Sequence, residues 1–419
     1  MKQFVAKRLA ILARQLIAKH KPKIIGITGS VGKTSARDAI YAVVSTAFWA
    51  RKGHENYNNE LGLPLAILGQ KSPGRSAFGW GMILVKGYFS LWFGSFPKVL
   101  VLEMGVDKPG DMDYLLSIAK PDIAVITNIG ISHYEFFGST EAVAHEKGKL
   151  VTAVSSSGAV ILNADNETAY AQRTKTSAKV IGYGFGDQSD VRMQIETEKF
   201  VVPAETKLIV HTPTQNFGVT VPAIGLPHIS SCGSAVAVGL YLGLSIENIQ
   251  KGLRSYKPVP GRLNLISGIR KTLIIDDSYN ASPDSVNEAL QIVNRLPHQH
   301  KVVILGDMLE LGDLSESAHK KIGTQVGEMK IDKLITVGSL GKIIAEAAKL
   351  AGMDSEKIVS FNDSKEASDH IRTGLVPESA ILIKGSQGVR MERISKELLA
   401  DPMSATNLLP RQYGSWLEK

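Results

Sequence analysis

The chain is 419 residues long, 44% hydrophobic and 21% charged, which excludes a disordered or collagen-like protein and leaves room for two or three domains. Its single cysteine, Cys232, excludes an internal disulfide scaffold and fits a reducing, cytoplasmic compartment. Lys and Arg outnumber Asp and Glu by 48 to 40, a net charge of +8 that favours anionic small molecules or a membrane surface, and no basic tract with interleaved aromatics points to nucleic acid.

Residues 1–22 place Phe4, Val5, Leu9, Leu12 and Leu16 at helical spacing, with Lys7, Arg8, Arg14 and Lys19 between them. This predicts an amphipathic helix, packed on the protein in preference to lying on anionic lipid, and the charges interrupt any signal-peptide core. PKIIGITGS then reads as a β-branched strand ending in a glycine turn, with the helical pattern KTSARDAIYAVVSTAF behind it, which is how a parallel α/β unit opens. Residues 71–97 form an insertion rich in aromatics and glycine, with Lys71, Arg75 and Lys86, whose unbroken apolar part is too short to span a bilayer. KVLVLEMG, DIAVITNIG and GAVILNADN are further buried-strand runs, and residues 179–221 alternate like an antiparallel patch. KPVPGRLN marks a boundary near residue 261, after which TLIIDDS, KVVILGDM, KLITVGS and AILIKGS restart the strand–helix alternation. The expected fold is α/β. A P-loop central ATPase domain (23–261) has a mostly parallel sheet plus an antiparallel patch, and a Rossmann-like C-terminal α/β domain (262–419) follows; ligands sit at the carboxyl ends of the strands.

The strongest chemical signal is GITGSVGKTS, residues 26–35. Gly29, Ser30, Val31, Gly32, Lys33, Thr34 and Ser35 make a loop whose backbone N–H groups can approach the phosphates of ATP, with Lys33 reaching the β- and γ-phosphates and Thr34 offering its hydroxyl to Mg²⁺. The strict form of this motif has glycine where Ile27 stands. Glu103 closes the strand LVLEMG and His133 follows the strand in NIGISHYEFFGS, so both are candidate Mg²⁺ ligands at neighbouring strand tips. Taken singly, each is more often a satisfied polar residue; beside a phosphate loop on the same sheet edge the metal role prevails.

TGSVGKTS, NYNNELGLPL, LEMGVDKPGD, TNIGISHYEFFGS, EKGKL, DDSYNASPDS, LGDMLELGDLSESAH and LIKGSQGVRME, in that order and spacing, resemble the Mur ligases over about residues 8–400. Within that family the chain looks most like the branch that adds D-alanyl-D-alanine to a muramoyl-tripeptide in peptidoglycan synthesis. The resemblance implies an ATP-dependent, ADP-forming amide ligase working through an acyl phosphate. It implies that Lys33 and Thr34 hold ATP and a first Mg²⁺ with Glu103, that His133 ligates a second, and that Lys147 is a carbamoylated lysine supporting the metal site. By the same resemblance Arg262 approaches the phosphate at the domain hinge, Asp277 contacts the ATP ribose beside Tyr279 and Asn280, and Asn59 lies on the nucleotide side of the cleft. Lys384, Gly385 and Ser386 would help hold the incoming dipeptide.

Three departures accompany the resemblance. In the helix that begins at His228, Cys232 stands where the family places an asparagine near adenine, and Gln387 stands where relatives often have arginine. Residues before the phosphate loop match the family's linker helix rather than its uridine-nucleotide domain, so either the insertion and basic helix rebuild an acceptor platform or the acceptor is lipid-linked or nucleotide-free. The partners expected are small molecules, with no nucleic acid, a monomeric chain and peripheral membrane contact as the role left to an apolar, basic surface. Two other readings stand beside this one: a Mur-type ligase for another amino acid or acceptor, and a non-catalytic ATP-binding switch. Glu103, His133 and Lys147 would have no purpose in such a switch.

Overall fold

Side chains of Ile, Val and Leu fill strands that are covered on both faces. In β1 (Lys23–Thr28), β3 (Val99–Glu103), β4 (Ile123–Ile126) and β5 (Ala159–Asn163), only Lys23 is exposed. Continuous apolar runs of this kind belong to parallel sheets sandwiched between helices. In the computed structural model, which describes residues 2–54, 57–130 and 134–416, these strands form a nine-stranded sheet in the order β2-β3-β1-β4-β5-β6-β7-β8-β9. The remaining members are β2 (Ala50–Lys52), β6 (Lys179–Gly184), β7 (Val191–Lys199), β8 (Glu205–His211) and β9 (Asn216–Val221). Pairing is parallel from β2 to β7 and antiparallel through β8 and β9, the expected mostly parallel sheet with an antiparallel patch.

Helices cover the two faces of that sheet. In chain order they are α1 (Lys2–His20), α2 (Lys33–Val44), α3 (Gly62–Leu68), α4 (Ala77–Trp92), α5 (Asp111–Ile118), α6 (Tyr134–Phe137), α7 (Thr140–Thr152), α8 (Glu167–Ala171), α9 (Leu226–Tyr241) and α10 (Ile246–Ser255). Because strand side chains alternate, Ile24 joins a core under α1, α3, α5 and α7, whereas Ile25 and Ile27 join a second core under α2, α9 and α10. Val5, Leu9, Leu12 and Leu16 of α1 are buried as their spacing predicts, but Phe4 is 60% exposed, with the Arg8 guanidinium 5.2 Å from the centre of its ring. Cys232 lies fully inside the second core, which holds its thiol well above the usual value, at about 12. It is a packing residue of α9, with no exposed surface to offer a ligand.

A second sheet follows, in the order β10-β11-β15-β12-β13-β14. It comprises β10 (Asn264–Ser267), β11 (Leu273–Asp277), β12 (Lys301–Gly306), β13 (Lys333–Val337), β14 (Ile358–Phe361) and β15 (Ala380–Lys384). All pairs are parallel except β10 with β11. Its first long helix, α11 (Pro283–Arg295), starts with Ser282 and Ser285 closing a reciprocal capping box. Residues 256–263 connect the two sheets, whose strand ends face one another across a cleft.

Candidate active site

β1 and β3 are neighbours with Ile27 opposite Glu103, so the phosphate loop and the Glu103 carboxylate leave the sheet side by side. The loop is backed by the residues after β4. Ser30 N–H donates to the Asn128 carbonyl at 2.6 Å, the Thr127 hydroxyl donates to the Val31 carbonyl at 2.6 Å, and the Ser30 hydroxyl donates to the Gly130 carbonyl at 3.0 Å. That close backing explains Gly29, whose φ is +153° and whose added Cβ would strike the Thr127 hydroxyl. Gly32, at φ +86°, turns the chain into α2, whose first N–H groups have no intrahelical acceptor and suit an anion. Lys33 bends over this loop, its Nζ donating to the Gly29 carbonyl at 2.7 Å and the Ser30 carbonyl at 3.3 Å. Burial lowers its pKa; Glu103 and Asp107 oppose the shift and Arg262 adds to it.

The Thr34 hydroxyl donates to Glu103 Oε2 at 3.0 Å, and Asn58 Nδ2 donates to Glu103 Oε1 at 3.0 Å. Arg37 Nη1 lies 3.5 Å from Glu103 Oε2, and both side chains are 3% exposed. Two hard oxygen donors beside a phosphate loop fit Mg²⁺, which takes one or two protein oxygens and completes its shell with phosphate and water. His133, the other candidate ligand, lies outside the described residues. Lys147, in α7, is 1% exposed, and its pKa is lowered well below the usual lysine value by burial and then by Lys33, against Asp107 and Glu146. Glu146 Oε1 accepts the N–H groups of Gly110 (3.0 Å) and Met112 (2.8 Å), which ties the segment after β3 to α7 at this point. Asn59 Oδ1 accepts from Leu61 N (3.2 Å) and Gly62 N (3.0 Å), holding the start of α3 at the cleft edge.

The second sheet supplies the opposite wall. Lys384 Nζ donates to Asp277 Oδ2 at 2.5 Å and to the Asn280 carbonyl at 3.0 Å, with both charged side chains almost fully buried. The two residues that the resemblance assigns to ribose and dipeptide are thus bonded to each other. Ser386 is buried; its hydroxyl accepts from Leu309 N at 2.9 Å and lies 3.3 Å from the Ala281 carbonyl, while Gly385 is pressed against Met391 and Gly306. Within this motif it is Lys384 and Gln387 that line the cleft. The Arg262 guanidinium lies 4.2 Å from the centre of the Tyr279 ring, and Arg411 lies 5.5 Å from it. Arg411 also donates to the Ser278 carbonyl (2.7 Å), the Tyr279 carbonyl (3.0 Å) and Glu392 (2.7 Å). His228 props the hinge: its ring nitrogens meet the Tyr256 hydroxyl at 2.7 Å and the Arg262 carbonyl at 2.6 Å. A carbonyl only accepts, so Nε2 carries the proton and Nδ1 accepts from Tyr256, the neutral form that burial favours.

These walls enclose a cleft of about 380 Å³ in which Lys33, Thr34, Asn59, Glu103, Arg262, Asp277, Tyr279, Asn280 and Lys384 all take part. Sequence reasoning missed Asn58, Arg411 and Glu288. Asn58 had a signal, since it precedes Asn59 in the same motif; the other two had none. Glu288 lines the cleft from α11, and burial, followed by the fields of Asp277 and Asp284, pushes its carboxyl up to about 7 against the attraction of Lys384. Its folded pKa exceeds its usual 4.5, so the folded chain holds an extra proton and stability falls as pH rises from about 4.5 to 7. Glu288→Gln is expected to remove that fall, gaining roughly 2–3 kcal/mol at pH 8 and almost nothing at pH 4.5. Urea unfolding of both proteins across that range checks it, and parallel pH curves for the two would contradict it.

Comparison with known proteins gives a consistent picture. Residues 93–239 match the Mur ligase middle domain, and residues 261–387 match the Mur ligase glutamate ligase domain. The UDP-N-acetylmuramoyl-tripeptide–D-alanyl-D-alanine ligase of Bacillus subtilis is 33% identical over 397 residues, covering 94% of this chain and 79% of that protein. Among solved structures, MurF from Acinetobacter baumannii superimposes with a TM-score of 0.76 at 28% identity, covering 94% of this chain and 80% of that one. MurF ligase from Thermotoga maritima in complex with ADP gives a TM-score of 0.77 at 25% identity, covering 94% and 83%.

Proposed function

The chain belongs to the Mur ligase family, and from that premise we propose that it is an ATP-dependent, ADP-forming amide ligase that joins D-alanyl-D-alanine to a muramoyl-tripeptide in peptidoglycan synthesis. The observation that carries the reading is one cleft in which Lys33, Thr34 and Glu103 face Arg262 and the Asp277–Lys384 pair, in a chain a third identical to a ligase named for this reaction. In the first half-reaction a carboxylate oxygen of the tripeptide attacks the γ-phosphorus. An O–P bond forms as the bond to the ADP oxygen breaks. In the second, the amine of D-alanyl-D-alanine attacks the acyl carbon, the tetrahedral adduct collapses with loss of inorganic phosphate, and the nitrogen gives up a proton. Negative charge gathers on phosphate oxygens throughout, and Lys33, Arg262 and the start of α2 are the groups set to meet it. Mg²⁺, held at Thr34 and Glu103, would supply further positive charge to those oxygens.

Lys147 deepens the reading. Its lowered pKa leaves a neutral amine over more of the pH range, and only a neutral amine can add to CO₂, forming an N–C bond and losing a proton. The resulting carbamate turns a buried amine near Lys33 into an anion. Lys147→Ala is expected to lower turnover by about 10²-fold, the scale of one lost electrostatic group. Acetate should restore part of the loss, and the intact protein should carry the mass of one added CO₂ when held in bicarbonate. Failure of rescue together with an unmodified mass at alkaline pH would refute this role.

The same reading divides the chain into a phosphate-loop domain at 23–261, preceded by the helix at 1–22, and a closing domain at 262–419. The enzyme works as a cytoplasmic monomer on ATP, the dipeptide and the muramoyl acceptor. Phosphate release tests it. A ligase of this kind releases phosphate rapidly only with acceptor and dipeptide both present, whereas equal release with ATP alone would point to a nucleotide switch.

A further inference from the structure

Helix α4 is mostly apolar, with Lys86 its one charged residue, and only one side of it is buried. Ile83 and Gly87 face inward, and Gly87 lies so close to Leu12 of α1 and to Leu68 that a Cβ would collide with both. On the outer side Phe78, Met82, Val85, Phe89 and Trp92 recur at helical spacing and are 43–78% exposed. An apolar stripe of this width facing water marks a surface made to be covered.

Charge identifies what covers it. The neighbouring α1 exposes Phe4 and Ile11 among Lys7, Arg8, Arg14 and Lys19. Lys19 Nζ donates to the Leu91 carbonyl and sits 6.0 Å from the Trp92 ring, so the basic row of α1 and the aromatic row of α4 adjoin. Residues 61–102 contain no Asp or Glu but do contain Lys71, Arg75, Lys86 and Lys98, and residues 1–37 contain no acid either. A symmetric contact with a second copy of the chain would set this cationic surface against itself. At 16 residues α4 is about 24 Å long, and among the described residues no helix is long and apolar enough to cross a membrane.

We propose that α1 and α4 together form a docking surface for an anionic phospholipid membrane. Helix α4 lies in the interfacial plane with its aromatic stripe at the level of the acyl chains, and the lysines and arginines of α1 and its surroundings meet the lipid phosphates. The amide chemistry itself makes no demand for such a surface, so this goes beyond the ligase reading.

Co-sedimentation of the full chain with vesicles tests it. The chain should pellet with vesicles of equal parts phosphatidylglycerol and phosphatidylcholine, stay in the supernatant with phosphatidylcholine alone, and be released by salt. Phe89→Ser combined with Trp92→Ser should cut partitioning at least tenfold, and Arg8→Gln combined with Lys86→Gln by about fivefold per charge removed. Both variants should keep wild-type ATP turnover, which shows that they fold. Three results would each overturn the proposal: no pelleting with anionic vesicles, equal pelleting with both vesicle types, or a dimer by light scattering that the Phe89/Trp92 variant dissolves while lipid binding stays absent.

Discussion

Lys33→Met is expected to lower ligase turnover by about 10²–10³-fold, the scale found when one preorganised cationic or oxyanion-binding group is removed from a closed site. The side chain starts α2, and its ammonium rests on the carbonyls of Gly29 and Ser30, inside the curve of the phosphate loop. Burial and Arg262 both disfavour its charge in the protein alone, so in this resting form the lysine stabilises the fold little. Its value is realised only against the phosphate oxygens. Methionine keeps the stem and removes the charge, so the melting temperature should stay level or rise while turnover and ATP affinity collapse. A coupled ADP assay beside a thermal melt separates the two effects. Near-normal turnover in a folded Lys33→Met protein would remove the phosphate role of this loop.

The second large effect falls on stability. Lys384→Met should destabilise the chain by about 3–5 kcal/mol, because it strands the Asp277 carboxylate in a site where both partners are almost fully buried. Lys384 also holds the Asn280 carbonyl, and Asp277 Oδ1 accepts from Leu263 N at 3.2 Å, so the pair joins the ends of β11 and β15 to the connection between the sheets. Loss of ATP binding is expected with the loss of stability, since both residues line the cleft. The double variant Asp277→Asn with Lys384→Met should recover much of the cost, because no unpaired charge then remains. Urea midpoints at constant m-value measure this. An unchanged midpoint in Lys384→Met would show that the 2.5 Å pair is not a structural bond.

The phosphate loop was legible because its chemistry is local. Gly29 and Gly32 are demanded by backbone angles, Lys33 and Thr34 follow at fixed positions on one helix start, and the β-branched run before them is a buried strand. The mostly parallel sheet and its antiparallel end could likewise be read from continuous as opposed to alternating apolar runs. What depends on distant partners could not be read. Asp284 stands one turn before Glu288 on α11, but nothing near Glu288 announces that Asp277 and Lys384 will approach it, and Arg411 lies more than a hundred residues from the Tyr279 loop that it holds. The motif around Lys384 pointed to the dipeptide, but spacing along a strand end gives no sign that this ammonium faces Asp277 and that Ser386 turns inward to Leu309 and Ala281. In the insertion, composition signalled apolarity. Only the packing of Gly87 on Leu12 fixes which side of α4 is covered and which aromatic stripe is left facing water.

The central claim is most directly tested by incubating the purified chain with ATP, Mg²⁺, D-alanyl-D-alanine and the UDP-linked muramoyl-tripeptide and reading the products by mass spectrometry. The account predicts a new species with the mass of acceptor plus dipeptide less one water, formed with one ADP and one phosphate per product and lost in Lys33→Met. ATP binding with no such species, while a different amino acid or acceptor yields an amide, would contradict it and assign the ligase chemistry to another substrate.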